Sequence, residues 1–308
     1  MVYINTDSNG RGWLSASGSH SLEALVSEVA RAVMDPKSGK PIFTEARDRE
    51  IRLAPSEERK KQQRARTNLE ISALGSGSDY TVFLDHLTMA SLNVGFGGLD
   101  QGGGLGHSLY DTIASYARFS DGEFLYGRTL SQTVGTLLMR LANAPVLPFE
   151  FNTYVRTVAE YVDDIEREHA RKPGAPRLAL SEIRSALGRL GGSAEAFEKA
   201  VGRVTAVPAQ RLAGRRDELD ALNRIIYTTE RAFRHEAGLP NRDWFKHLIY
   251  APGLYTGYGV KTLPGVREGV ERGAWDEASA HVSLVSSAID KLTRQLDEAT
   301  RLLDGLLR

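Results

Sequence analysis

Leu74 to Asp111 reads LGSGSDYTVFLDHLTMASLNVGFGGLDQGGGLGHSLYD, and three signals in it decide the fold. Gly75 to Asp79 form a tight Gly-Ser-Gly-Ser-Asp turn that opens a short helix over Asp79–Leu87. Met89 to Phe96 is an apolar run, which predicts a buried strand in a sheet covered on both faces. A glycine-crowded loop (Gly97, Gly98, Gly102, Gly103, Gly104, Gly106) then delivers His107 to the start of another helix, Ser108–Phe119. Ser108 is placed to cap that helix, with Asp111 three residues on. A histidine on the loop after a strand lies where open α/β sheets hold ligands.

Working outward, Met1–Thr6 reads as a strand that ends in Asp7, and Ser8–Ser19 as a Gly/Ser loop. Leu22, Leu25, Val26, Val29 and Val33 recur at helical spacing until Asp35-Pro36 stops the helix. Residues 45–66 are dense in charges of both signs, which predicts a solvated helix with mixed pairing. Asp121-Gly122 turns the chain into a long helix over Phe124–Ala144.

Pro145 and Pro148 mark a boundary, and beyond them the pattern is helical. Tyr154, Val155, Val158, Tyr161, Val162 and Ile165 share one stripe; Ile183, Ala186, Leu187 and Leu190 begin a second helix. A third is expected over about Ala209–Ala237, then an irregular segment over Ala251–Gly265, then a last helix over Trp275–Leu307. Four long helices predict an antiparallel bundle. The expected division is an α/β part over 1–149 and an all-α part over 150–308.

The 308 residues are 41% hydrophobic and 25% charged, with Lys plus Arg equal to Asp plus Glu. That balance gives no global basic field for nucleic acid, and the residue 45–66 run lacks interleaved aromatics. The chain has no cysteine, which excludes disulfides, thiolate metal sites and cysteine nucleophiles and leaves the compartment open. No apolar run reaches the roughly 20 residues of a membrane-spanning helix. Met1 stands directly before a central strand, so the chain is expected to be the C-terminal part of a longer protein.

GSGSDY, SLNVGFGG and HSLYD, in that order, resemble the glutamate carboxypeptidase II and transferrin receptor family of zinc peptidases. YINTDSNGRG (Tyr3 to Gly12), LANAPVLPF (Leu141 to Phe149), GLPNRDWFKHLIYAP (Gly238 to Pro252) and LPG (Leu263 to Gly265) extend the resemblance over nearly the whole chain. It implies a partial zinc-peptidase mixed sheet with flanking helices, followed by a four-helix-bundle-like dimerisation domain. It also implies a peptide substrate and a homodimer through 150–308. The parent could be secreted or periplasmic.

The site residues follow from that resemblance. Taken alone, Asp7 could be a loop-capping aspartate and His107 a helix-flanking histidine. The resemblance makes Asp7 a ligand of one zinc and His107 a ligand of a second, residue types suited to zinc with an open water position. It places substrate contacts on Ser8, Ser76, Gly77, Ser78 and Tyr258. Three further ligands and the general base of the family pattern have no counterpart here, so the chain alone is expected to bind zinc weakly and to be inactive. The family's arginine pair falls on Asn93 and Gly95, its substrate-carboxylate lysine on Gly257, and its carbonyl-polarising tyrosine on Gly106. An acidic substrate side chain is therefore expected to find no bidentate partner at those positions. His247 is expected to pack between bundle and sheet, and His20, His86, His169, His235 and His281 to be structural. The competing expectation is a non-catalytic dimerisation and interaction module.

Overall fold

The computed structural model describes residues 1–100 and 105–308. The central sheet has three strands in the order β1-β3-β2: β1 (Tyr3–Asn5), β2 (Gly12–Gly18) and β3 (Ser91–Gly98). β1 runs parallel to β3, with Tyr3 opposite Ser91 and Asn5 opposite Asn93. The two strands expected from sequence therefore share one sheet. β2 pairs antiparallel with β3 over its whole length, from Gly12 opposite Gly98 to Gly18 opposite Leu92. This strand corrects the reading of Ser8–Ser19 as a loop. Its signal is the alternation of Leu14, Ala16 and Gly18 with Trp13, Ser15 and Ser17.

The sheet is not covered on both faces as expected. Leu92, Val94 and Phe96 are buried with Leu14, whereas Asn93, Gly95 and Gly97 alternate with them and are partly open. One face thus belongs to the core, and the other is polar and borders the clefts described below. Helices α1 (Glu23–Ala32), α2 (Ile42–Leu53) and α3 (Glu57–Ala65) follow β2. The predicted solvated run is α2 plus α3. Ser56 caps α3 by accepting from Arg59 N, and Arg59 pairs with Glu70.

A π-helical turn at Val82–His86 leads into β3. The next helix is shorter than expected. α4 spans Ile113–Phe119, and Thr112, not Ser108, caps it by accepting from Ser115 N. Ser108 instead closes a local turn with Leu105 and Asp111. Of the glycine loop, residues 102–104 lie outside the described residues. α5 spans Leu125–Asn143, close to prediction.

The remainder comprises α6 (Asn152–His169), α7 (Leu180–Thr205), α8 (Ala209–Leu212), α9 (Arg216–Tyr227), a hairpin of β4 (Tyr250–Pro252) and β5 (Val260–Thr262), α10 (Pro264–Arg272) and α11 (Trp275–Leu306). The hairpin occupies the segment expected to be irregular, α10 follows it, and the expected third helix is broken into α8 and α9 and ends at Tyr227. α11 carries Ala278, Val282, Val285, Ile289, Leu292, Leu296, Ala299, Leu303 and Leu306, all buried, in a strict alternation of four and three residues. α7 carries the matching stripe Ile183, Leu187, Leu190, Ala194, Phe197 and Val204. This is the seam of a coiled-coil pair. Arg189 bonds Asp290, Ser193 bonds Asp297 and Arg203 bonds Asp304, so α7 and α11 run parallel. α6 does run antiparallel to α7, with Arg184 near Asp163 and Asn152 near Glu198. The all-antiparallel bundle is thereby corrected. The connection from α7 to α11 spans 69 residues and can return the chain to the starting end.

Buried side chains form one continuous cluster from Leu14 to Leu306. His20 ties the segment after β2 to α6: it is fully buried and its Nε2 lies 2.6 Å from the Tyr161 hydroxyl. Burial lowers its pKa to about 3, so it stays neutral. His247, expected to pack between bundle and sheet, has its polar and ring contacts within residues 230–250. It is fully buried, accepts at Nδ1 from Ile249 N, faces Glu230 through Nε2 at 3.0 Å and stacks on Phe233.

Candidate active site

Asp7 follows the C-terminal end of β1, and its exposed carboxylate is fixed by three neutral donors. Asn5 Nδ2 donates to Oδ1 at 2.8 Å and Asn93 Nδ2 to Oδ2 at 3.1 Å, while the Ser78 hydroxyl also donates to Oδ1. The donors are tied to one another, because Asn5 Nδ2 also lies 3.1 Å from Asn93 Oδ1 and from Ser78 Oγ. β1 and β3 supply Asn5 and Asn93 from opposed positions of the parallel register. The carboxylate is thus oriented without an ion pair among the described residues. That chemistry suits a cation arriving from the open side.

The Gly-Ser-Gly turn joins this cluster to Tyr258. Ser76 N donates to the Tyr258 carbonyl at 3.1 Å. A Cβ at Gly75 would fall 2.1 Å from that carbonyl oxygen, and one at Gly77 would fall 2.7 Å from the Tyr258 ring. Gly77 also has φ +107°. Both glycines are required by close approach. Tyr80 locks the turn by donating to the Ser76 carbonyl at 2.8 Å, and burial, then Asp85 and Asp7, push its pKa up to about 12.

The structure therefore brings Asp7 and Ser78 together, and Ser76, Gly77 and Tyr258 together, through one continuous turn. Ser8 lines two adjoining clefts. The first, of about 360 Å³, is bordered by Asp7, Trp13, Ser15, Ser17, Arg49 and the β3 segment Asn93–Gly98. The second, of about 390 Å³, is bordered by Gly10, Asp100, Gly106, Asp111, Tyr116 and Ser120. They share Ser8 and Phe96–Gly98.

His107 is exposed, holds a left-handed φ of +63° and makes no hydrogen bond among the described residues. Its neighbour Gly106 borders the second cleft, but His107 borders neither. Among the described residues, no three ligand-type side chains lie together. Position 95 is closed to larger side chains: a Cβ there would sit 2.6 Å from the Ser8 carbonyl oxygen. Sequence reading missed Trp13 and Arg49 as cleft residues, and passed over Asn5 as an orienter of Asp7. The strand alternation exposed Trp13, but nothing local to Arg49 revealed that α2 would cross this cleft.

Residues 178–297 match the family model of the transferrin receptor-like dimerisation domain. A probable glutamate carboxypeptidase of Arthroderma benhamiae is 33% identical over 71% of this chain and 30% of its own length. Residues 178–297 thus belong to the transferrin receptor-like dimerisation domain family, and the chain is similar to glutamate carboxypeptidases over most of its length. A probable glutamate carboxypeptidase of Arabidopsis thaliana is 25% identical over 100% of the chain and 41% of its own length. An inactive zinc metalloprotease of Schizosaccharomyces pombe is 26% identical over 61% of the chain and 24% of its own length. The chain thus spans less than half the length of these relatives. The name of the last of these implies zinc in the family. No helix among the described residues is long and apolar enough to cross a membrane.

Proposed function

We propose that this chain is part of a zinc-dependent exopeptidase that hydrolyses peptide bonds with a water activated between two zinc ions. The carrying observation is Asp7: an exposed carboxylate at a strand end, oriented by Asn5, Ser78 and Asn93 and facing a cleft. Asp7 would hold one zinc and His107 the other, and zinc would supply Lewis acidity and lower the pKa of its water. Ser8, Ser76, Gly77, Ser78 and Tyr258 would border the peptide. Residues 1–149 form the catalytic portion in this reading, and 150–308 a dimerisation domain that makes a homodimer. The general base and three ligands are supplied from outside these residues, so the chain alone is inactive.

The test is metal content and hydrolysis of neutral blocked dipeptides. The chain alone should bind zinc weakly, because one ligand per ion cannot offset dehydration of the metal. The longer polypeptide that contains it should hold two zinc ions and lose one on His107→Ala. Unchanged zinc content in both Asp7→Ala and His107→Ala would overturn the assignment. Sedimentation of the chain at tens of micromolar should give a dimer, as an interface of standard size holds at that concentration. A second reading, a non-catalytic dimerisation module, is favoured by the dimerisation-domain match and the inactive relative. Two bound zinc ions without hydrolysis in the longer polypeptide would select it.

A further inference from the structure

Two histidines expected to be structural come together where α10, α11 and the segment before β4 meet. His281 lies in the second turn of α11 and is only 6% exposed, while His235, two residues after Phe233, is half-buried. Their ring centroids are 6.5 Å apart and the ring planes stand at 79° to each other.

The state of His281 is set by its other nitrogen. Nδ1 lies 3.0 Å from the Glu277 carbonyl oxygen, which can only accept, so Nδ1 carries the proton and Nε2 presents a lone pair. Nε2 is buried and has no hydrogen-bond partner among the described residues. A buried acceptor of this kind calls for a partner. A backbone carbonyl on the opposite ring nitrogen is the support that metal-bound imidazoles carry. Gly265, the second residue of α10, gives the ring its room: a Cβ there would fall 2.0 Å from His281 Cδ2 and 2.6 Å from Nε2.

His235 is fixed through its backbone, its N–H donating to the Lys246 carbonyl at 2.9 Å and its carbonyl accepting from Gly238 N at 3.0 Å. Burial first, then His281 and Lys246, lowers its pKa, against an opposite pull from Glu236, so the ring stays neutral at neutral pH, as a metal ligand must. Beside it, Lys246 donates to the Glu236 carbonyl and the Glu236 carboxylate pairs with Arg234. Among the described residues no third ligand-type side chain joins the pair, so water would complete a ligand set. The separation of the rings selects the ion. With metal–nitrogen bonds of about 2.0–2.1 Å, imidazole centroids lie about 5 Å apart at a tetrahedral angle and about 6.4 Å apart on opposite sides of an ion. The observed 6.5 Å matches the opposed arrangement. Opposed nitrogens with oxygen in the remaining positions suit tetragonal Cu(II) or Ni(II) better than tetrahedral zinc.

We propose that His235 and His281 form a binding site for a late divalent transition ion, Cu(II) foremost, held by two imidazoles and water. The ion clips the segment before β4 to α11. This does not rest on the exopeptidase reading, and its test reads neither turnover nor zinc at Asp7 and His107.

Cu(II) chloride alone is titrated into the chain while the ring resonances of the seven histidines are followed by NMR. Paramagnetic broadening at substoichiometric copper should appear first at His235 and His281, and zinc should bind at least about 10-fold more weakly. Loss of one of two ligands costs no less than loss of a supporting partner, so His235→Ala should weaken copper binding at least about 10-fold. His169→Ala is the control, since that ring bonds the Pro176 carbonyl, and it should leave binding unchanged. Broadening that starts at His107, or spreads evenly over the exposed histidines, would overturn the proposal by showing adventitious surface binding. So would a His235→Ala chain that binds copper as tightly as the unmodified one. Backbone NMR shifts identify a misfolded His235→Ala, in which case His235→Asn replaces it and must show the same loss.

Discussion

Along α11 every third or fourth side chain is apolar and buried for nine successive contacts, and α7 answers with the same period. Along β3 only alternate residues are buried, and those between them are Asn93, Gly95 and Gly97. The first region is held by repetition. Any one of its positions is interchangeable in kind with the next, and loss of one leaves the register to the others. The second is held by single contacts: one carbonyl above Gly95, one tyrosine beside Gly77, three donors on Asp7. The helical seam is therefore redundant in its contacts, and the sheet face depends on single ones.

The sharpest way to break this contrast is to remove one seam residue. Phe197 is fully buried and packs edge-on against Phe151, with ring centroids 5.6 Å apart. Phe197→Ala should cost about 3–5 kcal/mol, read as a lowered urea midpoint at constant slope. A loss under about 1 kcal/mol would show that the seam is loosely packed. On the sheet face, Gly95→Ala should cost about 1–3 kcal/mol, because its methyl meets the Ser8 carbonyl oxygen. Gly97→Ala is the matched comparison: no neighbour lies within 4 Å of its Cβ, and the loss should stay below that of Gly95→Ala. Equal losses would mean that strand propensity, not the Ser8 contact, sets the cost.

A further variant probes the link between the two regions. Asp85, in the π-helical turn before β3, is fully buried and neither carboxylate oxygen has a partner. Burial raises its pKa to about 9, against a smaller opposing pull from Arg242. The folded state therefore holds a proton that the unfolded state releases near pH 4. Stability from this group is fully present below about pH 4 and declines as pH rises toward 9. Asp85→Asn should remove that decline and stabilise the protein by about 1–2 kcal/mol at pH 8, with little gain at pH 4. A gain independent of pH would show that the carboxyl is not protonated in the fold.

What could be read from sequence follows the same division. The long helices announced themselves by period, and the strands that end near Asp7 and Gly98 by their apolar runs; that the two share a sheet was implied only by the resemblance. Register and direction did not: the parallel course of α7 and α11 depends on where the 69-residue connection returns the chain, which no local pattern encodes. β2 was hidden because its outward positions are Ser15 and Ser17, which read as loop residues when the strand is short. Asp7, Ser76, Gly77, Ser78 and Tyr258 were legible only through resemblance, since the turn joining them bridges about 180 residues of sequence. Arg49 had no signal at all. It lies in a charged run, and it is set apart by bordering the cleft beside Trp13, which Arg52, also over that ring, does not.

The smallest effect tests whether the seam is limited by packing or by local propensity. α7 contains Gly188, Gly191 and Gly192 in the middle of a 26-residue helix, where glycine has the weakest preference for helix after proline. Gly191 lies 3.9 Å, measured from its built Cβ, from Val155 Cγ1 on α6, so an alanine there meets another helix. Gly192 is exposed and nothing lies within 4 Å of its Cβ. Its φ is not left-handed, so alanine fits without strain and chiefly reduces the freedom of the unfolded chain. Gly192→Ala should therefore stabilise the protein by about 0.5–1 kcal/mol, seen as a raised urea midpoint. If the gain is absent while Phe197→Ala costs its full amount, the helical seam is governed by packing alone. If Gly192→Ala destabilises, the glycine serves an approach from outside this chain, and the face of α7 that carries it becomes part of an interface.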